Sequence, residues 1–110
     1  MNRDLITLNE VLNAGNSIFF YQEETTGAWV AYGYSAYLLA QTANCNFISS
    51  FSKAMQMPCT CISEADFKKI VRVNMSTIEC LDGFYYLPCP SSVDDINYQQ
   101  WVQDLKAISL

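Results

Sequence analysis

The chain contains no histidine. That absence removes Ser-His-Asp and Cys-His nucleophilic chemistry, every histidine-containing metal site, and the side chain best suited to proton transfer near neutral pH. Charge is scarce as well, with 15% charged residues against 51% apolar ones. A chain with that balance offsets its ordering entropy and folds, where a disordered chain shows the opposite bias. No apolar run approaches the roughly 20 residues of a membrane span, because residues 28–40 are broken by Gly33 and Ser35. Met1-Asn2-Arg3-Asp4, followed by Leu5, Ile6 and Leu8 among polar residues, lacks the unbroken stretch of about 7–15 apolar residues of a secretory leader. The four glycines are isolated, so there is no glycine-rich phosphate loop, and no repeat, linker or low-complexity tract is present.

What remains describes one domain spanning residues 1–110. Seven tyrosines, six phenylalanines and two tryptophans supply a large buried area per residue. The five cysteines, Cys45, Cys59, Cys61, Cys80 and Cys89, are odd in number. Without a leader they read as reduced thiols, which places the chain in the cytoplasm. A net charge of −5 favours solubility and opposes a strong non-specific grip on nucleic acid.

The local patterns alternate between helix and strand. Thr7-Leu8-Asn9-Glu10 has the form of a capping box, and Leu8, Val11 and Leu12 follow at helical spacing up to Gly15, predicting a helix over 7–15. Residues 17–22 and 28–33 read as strands joined by the polar loop 23–27, and 34–41 as a helix. Strands are expected at 46–50 and 58–62, with Pro58 at a sheet edge or a strand start. Ser63 is a candidate cap for a helix whose apolar stripe is Phe67, Ile70 and Val71. Residues 76–81 and 84–87 flank Asp82-Gly83, a hairpin signal, after which Pro88 and Pro90 bracket Cys89. A last helix opens at Ser92-Val93-Asp94-Asp95 and carries Ile96, Val102, Leu105 and Ile108 on one face beside Trp101. The expected fold is α+β (or α/β): a mixed, largely antiparallel sheet with hairpins at 17–33 and 76–87, packed by about four helices.

Few constellations carry chemistry. Cys59-Thr60-Cys61 is C-x-C, without the paired spacing of zinc knuckles or redox motifs. On a strand both thiols point to one face, where Cys45 or Cys80 can join them in a sulfur-ligated site; the default for such residues is buried packing. Glu23 and Glu24 read as turn residues, and Asp94 and Asp95 as first-turn helix acids. Lys68, Lys69 and Arg72 form one cationic helix face that can contact phosphates or simply be solvated. Trp29, Tyr32, Tyr34 and Tyr37 are dense enough to stack on bases, or to fill a core.

The segment Ile18-Phe-Phe-Tyr21, a short loop, then Trp29-Val-Ala-Tyr-Gly-Tyr-Ser-Ala36 and Leu38-Leu39 resembles the start of the N-terminal mismatch-recognition domain of the MutS family. Met57-Pro58, Phe67-Lys-Lys-Ile-Val71 and Ser76-Thr-Ile-Glu-Cys80 resemble its later segments, so the likeness spans residues 17–81. The family reads mismatches with Phe-x-Glu. Those places hold Ala28 and Val30 here or, shifted by one, Trp29 and Ala31, with no carboxylate in either register. The resemblance implies a recognition domain of that fold, tied to DNA repair or nucleic acid; the candidate contacts read from the residues themselves are Trp29, Tyr32, Lys68, Lys69 and Arg72. The other reading is a protein–protein interaction module that does not touch nucleic acid. No catalytic residue, metal site, cofactor or membrane partner is expected, and the sequence does not specify an oligomeric state.

Overall fold

A computed structural model describes residues 3–42, 46–89 and 92–108. Expectations placed on Cys45 and Pro90 lie outside them. The described elements run α1 (Arg3–Leu12), β1 (Ser17–Gln22), β2 (Trp29–Tyr32), α2 (Gly33–Thr42), β3 (Phe47–Ser52), β4 (Met57–Ile62), α3 (Glu64–Val73), β5 (Glu79–Leu81), β6 (Phe84–Pro88) and α4 (Asp95–Ile108). The six strands form one sheet in the order β3-β4-β2-β1-β6-β5. Every described pairing is antiparallel, so the protein is α+β as expected. Among the described residues no helix is long and apolar enough to cross a membrane.

Side chains alternate strictly across the pleat. Ile18, Phe20, Trp29, Ala31 and Ile62 point to a first face, where they meet Ala36, Leu38 and Leu39 of α2 and Phe67 of α3. Trp101 of α4 closes this layer, with Tyr34 and Tyr37 meeting Tyr98 and Trp101 edge to face. Tyr21, Val30, Tyr32 and Cys59 point to the second face, over which Ile6 of α1 packs. The fully buried Thr60 hydroxyl donates to the Ala36 carbonyl at 3.0 Å and tethers α2 to the sheet.

Four local signals act as read. Ser63 caps α3, its hydroxyl accepting from the Asp66 N–H at 3.1 Å. Asp82-Gly83 joins β5 to β6, and Gly83 takes φ +90°. Pro58 sits one residue into β4, paired with Phe51, so its strand-start reading holds although β4 is an interior strand. The Glu23 carboxylate accepts from the Thr25 hydroxyl at 2.6 Å, which holds its pKa below the usual value and makes it a turn residue.

Three expectations are corrected. The first helix starts at Arg3 and ends at Leu12, so Thr7 and Glu10 lie inside it and form no capping box. Its buried side carries Ile6 and Glu10, while Leu8, Val11 and Leu12 are 55%, 75% and 73% exposed. The reason is that Glu10 and Asn13 are drawn inward by partners on α2 and β1. In α4 the docking stripe is Tyr98, Trp101, Val102 and Leu105, leaving Ile96 and Ile108 exposed; the helix opens at Asp95, with Asp94 accepting from the Ile96 N–H at 3.0 Å. Finally, residues 76–78 precede the three-residue strand β5.

Chain direction changes abruptly at Tyr32-Gly33, where β2 runs into α2 without a loop. Gly33 takes φ +60°, and a Cβ there would stand 2.9 Å from Glu10 Oε1. Gly33→Ala is therefore expected to cost about 1–3 kcal/mol in urea unfolding, from left-handed strain and a displaced carboxylate. In a Glu10→Ala background the penalty should shrink; equal penalties in both backgrounds would show that the two residues do not interact.

Candidate functional site

The residues singled out in the sequence do not converge on one surface. Trp29 opens β2 and points to the first face, where it stacks on Phe67 at 3.9 Å and 14° and meets Tyr85 edge-on at 5.2 Å. Tyr32 lies three residues on, an odd number along a strand, so it points to the second face, against Tyr21. Lys68, Lys69 and Arg72 are exposed on α3, following Phe67. Lys68 pairs with Glu64 at 3.8 Å and Lys69 with Asp66 at 3.6 Å. Such surface pairs contribute little to stability, but they set a carboxylate beside two of the three cations that α3 offers an anion.

One concave surface does collect aromatic side chains. At the end of the sheet, between the 23–28 loop and the β5–β6 turn, lies a cleft of about 420 Å³. Its walls come from both faces: Trp29 and Tyr85 from the first, Tyr21 and Phe84 from the second, with Leu5 of α1 and Glu24 of the loop at its sides. The sheet positions these groups because Gln22 pairs with Trp29, and Phe20 with Tyr85, just inside its end. Exposed Cys80 also lines the cleft, and its contact with the Tyr85 hydroxyl pushes that phenol's pKa up.

Trp29 is the informative member. It is 9% exposed, and its Nε1–H is buried with no hydrogen-bond partner among the described residues. Buried donors are almost always paired, and an unmet one costs about 1–3 kcal/mol. The α3 helix lies close by, since Glu64 Oε2 is within 3.6 Å of where a Gly27 Cβ would stand.

A second polar cluster is closed to ligands. Glu10 Oε2 accepts from the Ser35 hydroxyl at 2.6 Å, and Oε1 accepts from the Ser35 N–H at 3.3 Å. The Asn13 amide donates to the Ser17 carbonyl at 2.9 Å and approaches Ser35 Oγ at 3.2 Å, which also accepts from the Phe19 N–H at 3.0 Å. Glu10 thus places its carboxylate at the N-terminus of α2, where exposed amides and the helix dipole favour negative charge. Burial nevertheless raises its pKa to about 7, against hydrogen bonds that lower it. Ser35 has no exposed surface, so this cluster latches α1 to α2 and β1 and offers no nucleophile.

The thiols separate into unrelated places. Cys59 and Cys61 lie on β4, whereas Cys80 lies on β5, with β2, β1 and β6 between them, so Cys80 does not join the pair. No group of three or more His, Cys, Asp or Glu side chains able to hold a metal exists among the described residues. No protein-family profile, curated protein or solved structure matches the chain.

Proposed function

We propose that the chain is a non-enzymatic recognition domain whose recognition element is the aromatic cleft at the end of its sheet. The observation that carries this reading is Trp29, which lines the cleft, is nine-tenths buried and holds an N–H without an acceptor among the described residues. Nε1 itself is closed to solvent, so a ligand acceptor recovers the cost of that unmet donor only when the Trp29 ring turns toward the cleft on binding. The flat walls of Tyr85, Phe84 and Tyr21 suit a planar group. An unpaired base has both the plane and the acceptors, and Lys68, Lys69 and Arg72 on the neighbouring helix are the phosphate contacts in this reading. The resemblance to the MutS mismatch-recognition domain belongs here, with a cleft in place of the missing Phe-x-Glu.

A separate observation favours the second reading, a protein-binding module. Lys68 and Lys69 already face carboxylates, Glu24 lines the cleft, and the net charge is −5. All of these oppose phosphate. Its ligand is an aromatic or aliphatic side chain that packs against Trp29, Tyr85 and Phe84 in the cleft.

In a Trp101→Phe background, Trp29 is the single tryptophan reporter. Titration with single-stranded, paired and mismatched DNA at low salt is expected to shift its emission, and Lys68→Glu/Arg72→Glu to weaken the binding. No binding to any of the three sinks the nucleic-acid reading in favour of a protein ligand. Binding that leaves Trp29 emission untouched and survives Tyr85→Ala removes the cleft from either reading.

A further inference from the structure

Of the described strands, β3 and β5 are the outermost, and they are built differently. Proteins blunt a free sheet edge by keeping it short, charging it, or placing a proline or a bulge on it. β5 follows this rule: it is three residues long, carries Glu79 and runs straight into Asp82. β3 shows none of these devices. Its six residues, Phe47-Ile-Ser-Ser-Phe-Ser52, contain no charge and no proline, and all pair with β4 in unbroken register. Among the described residues, no strand or backbone group pairs with its outer side. Phe47 is 41% exposed and Ile48 is 74% exposed, so the edge also shows apolar surface to water.

Another strand is what covers such an edge, and two observations select a second copy of this chain. The first is charge. Each copy carries a net −5, so two copies repel over much of their surface, and β3 offers an uncharged line of approach. The second is register. A two-fold axis normal to the sheet joins two copies of β3 antiparallel and keeps each face continuous, so opposed residues share a face. Phe47, Ser49 and Phe51 pair with Ile62, Thr60 and Pro58 and lie on the first face, whereas Ile48 and Ser50 lie on the second. With Ser49 on the axis, each Phe47 stands opposite Phe51 of the other copy, and each Ile48 opposite a Ser50. The two phenylalanines of the strand thus form two cross-strand aromatic pairs. α4 packs over this face, with Lys106 4.9 Å from the Phe51 ring centroid, so the same axis brings both α4 helices onto one side of the joint sheet.

We propose that β3 is a self-association edge, through which two copies of the chain join antiparallel about Ser49 into one continuous sheet. The aromatic cleft draws on β5 and β6, at the other end of the strand order, so each copy keeps its cleft open. Six paired residues a side fall well short of the roughly 20–30 of a standard stable interface. The dimer is therefore weak and forms in the range of about 10–100 μM.

The test is sedimentation of the reduced full chain from about 1 to 500 μM, with amide hydrogen exchange followed at both ends of that range. The mass is expected to rise from one chain to two, and exchange within residues 47–51 to slow with concentration while that of 79–81 does not. Ile48→Lys sets a charge on the edge and should weaken association by roughly 10-fold or more. Phe47→Ser removes the aromatic pairs and should weaken it by roughly 5-fold. Val11→Lys, at a comparably exposed apolar site on α1, should leave it unchanged. All three positions are exposed, and circular dichroism should show each variant folded. A chain that stays monomeric at the highest concentration overturns the proposal and leaves the edge to a strand of a different protein. A dimer indifferent to Ile48→Lys, or one lost with Val11→Lys, overturns it as well.

Discussion

The Glu10 contribution to stability should fall as pH rises from 5 to 7, and Glu10→Gln should abolish that fall. The Glu10 carboxyl is raised by burial from an ordinary 4.5 to about 7. Between those values the folded protein holds a proton that the unfolded chain has released. The stabilisation is therefore complete below pH 4.5 and is lost as pH rises through 7, by roughly 3 kcal/mol in all. A glutamine at position 10 keeps an amide oxygen to accept from the Ser35 hydroxyl and does not titrate. The absence of histidine removes imidazole titration from this window. The Cys59 thiol, brought down to about 6, acts with the opposite sign, strengthening the fold as pH rises above that value. The difference between wild type and Glu10→Gln cancels that contribution. Urea unfolding from pH 5 to 8 supplies the measurement, and a difference independent of pH would mean that Glu10 titrates normally.

Phe67→Ala should be the most damaging single truncation on α3. Phe67 is the one fully buried residue of that helix, 4% exposed. It stacks on Trp29, meets Phe20 edge-on at 5.2 Å and meets Tyr85 at 5.1 Å. Removing a buried phenylalanine costs about 3–5 kcal/mol, against about 5–15 kcal/mol for a whole domain. Ile70 and Val71 are only partly buried and cannot hold the helix by themselves. Thermal unfolding should move down by roughly 15–30 °C. Trp29 emission should shift red as its stacking partner leaves. Phe67→Leu, which refills most of the volume, should lose far less. A cost for Phe67→Ala below about 1 kcal/mol would show that α3 is anchored elsewhere.

Short-range chemistry was legible where one local interaction decides the outcome. Ser63 before the Phe67 stripe and Asp82-Gly83 between two β-rich runs needed no knowledge of the rest of the chain. Long-range partners defeated the reading of α1. Thr7 and Glu10 have the spacing of a local cap, but Glu10 finds the N-terminus of a different helix, 25 residues on. The inward pull of Glu10 and Asn13 turns Leu8, Val11 and Leu12 to solvent against their hydrophobicity. At the candidate site, the separation of Trp29 from Tyr32 was readable, since an odd spacing on a strand divides them between faces. The cleft was not, because it joins the β1–β2 loop to a hairpin more than fifty residues away.

The strand order also describes a growth sequence. The hairpin made first, β1–β2, occupies the centre of the sheet; β3 and β4 add to its β2 side, and β6 and β5 to its β1 side. A chain emerging from its N-terminus thus lays down the middle of the structure before either flank. Each later hairpin docks onto a strand edge already present. Until β6 arrives, that edge is β1, with the aromatic residues Phe19, Phe20 and Tyr21. The interval between synthesis of β2 and β6 is the time in which a nascent chain offers neighbouring chains a sticky strand. Shortening that interval, by moving the 76–108 segment ahead of β1 in a circular permutant, should raise the soluble yield.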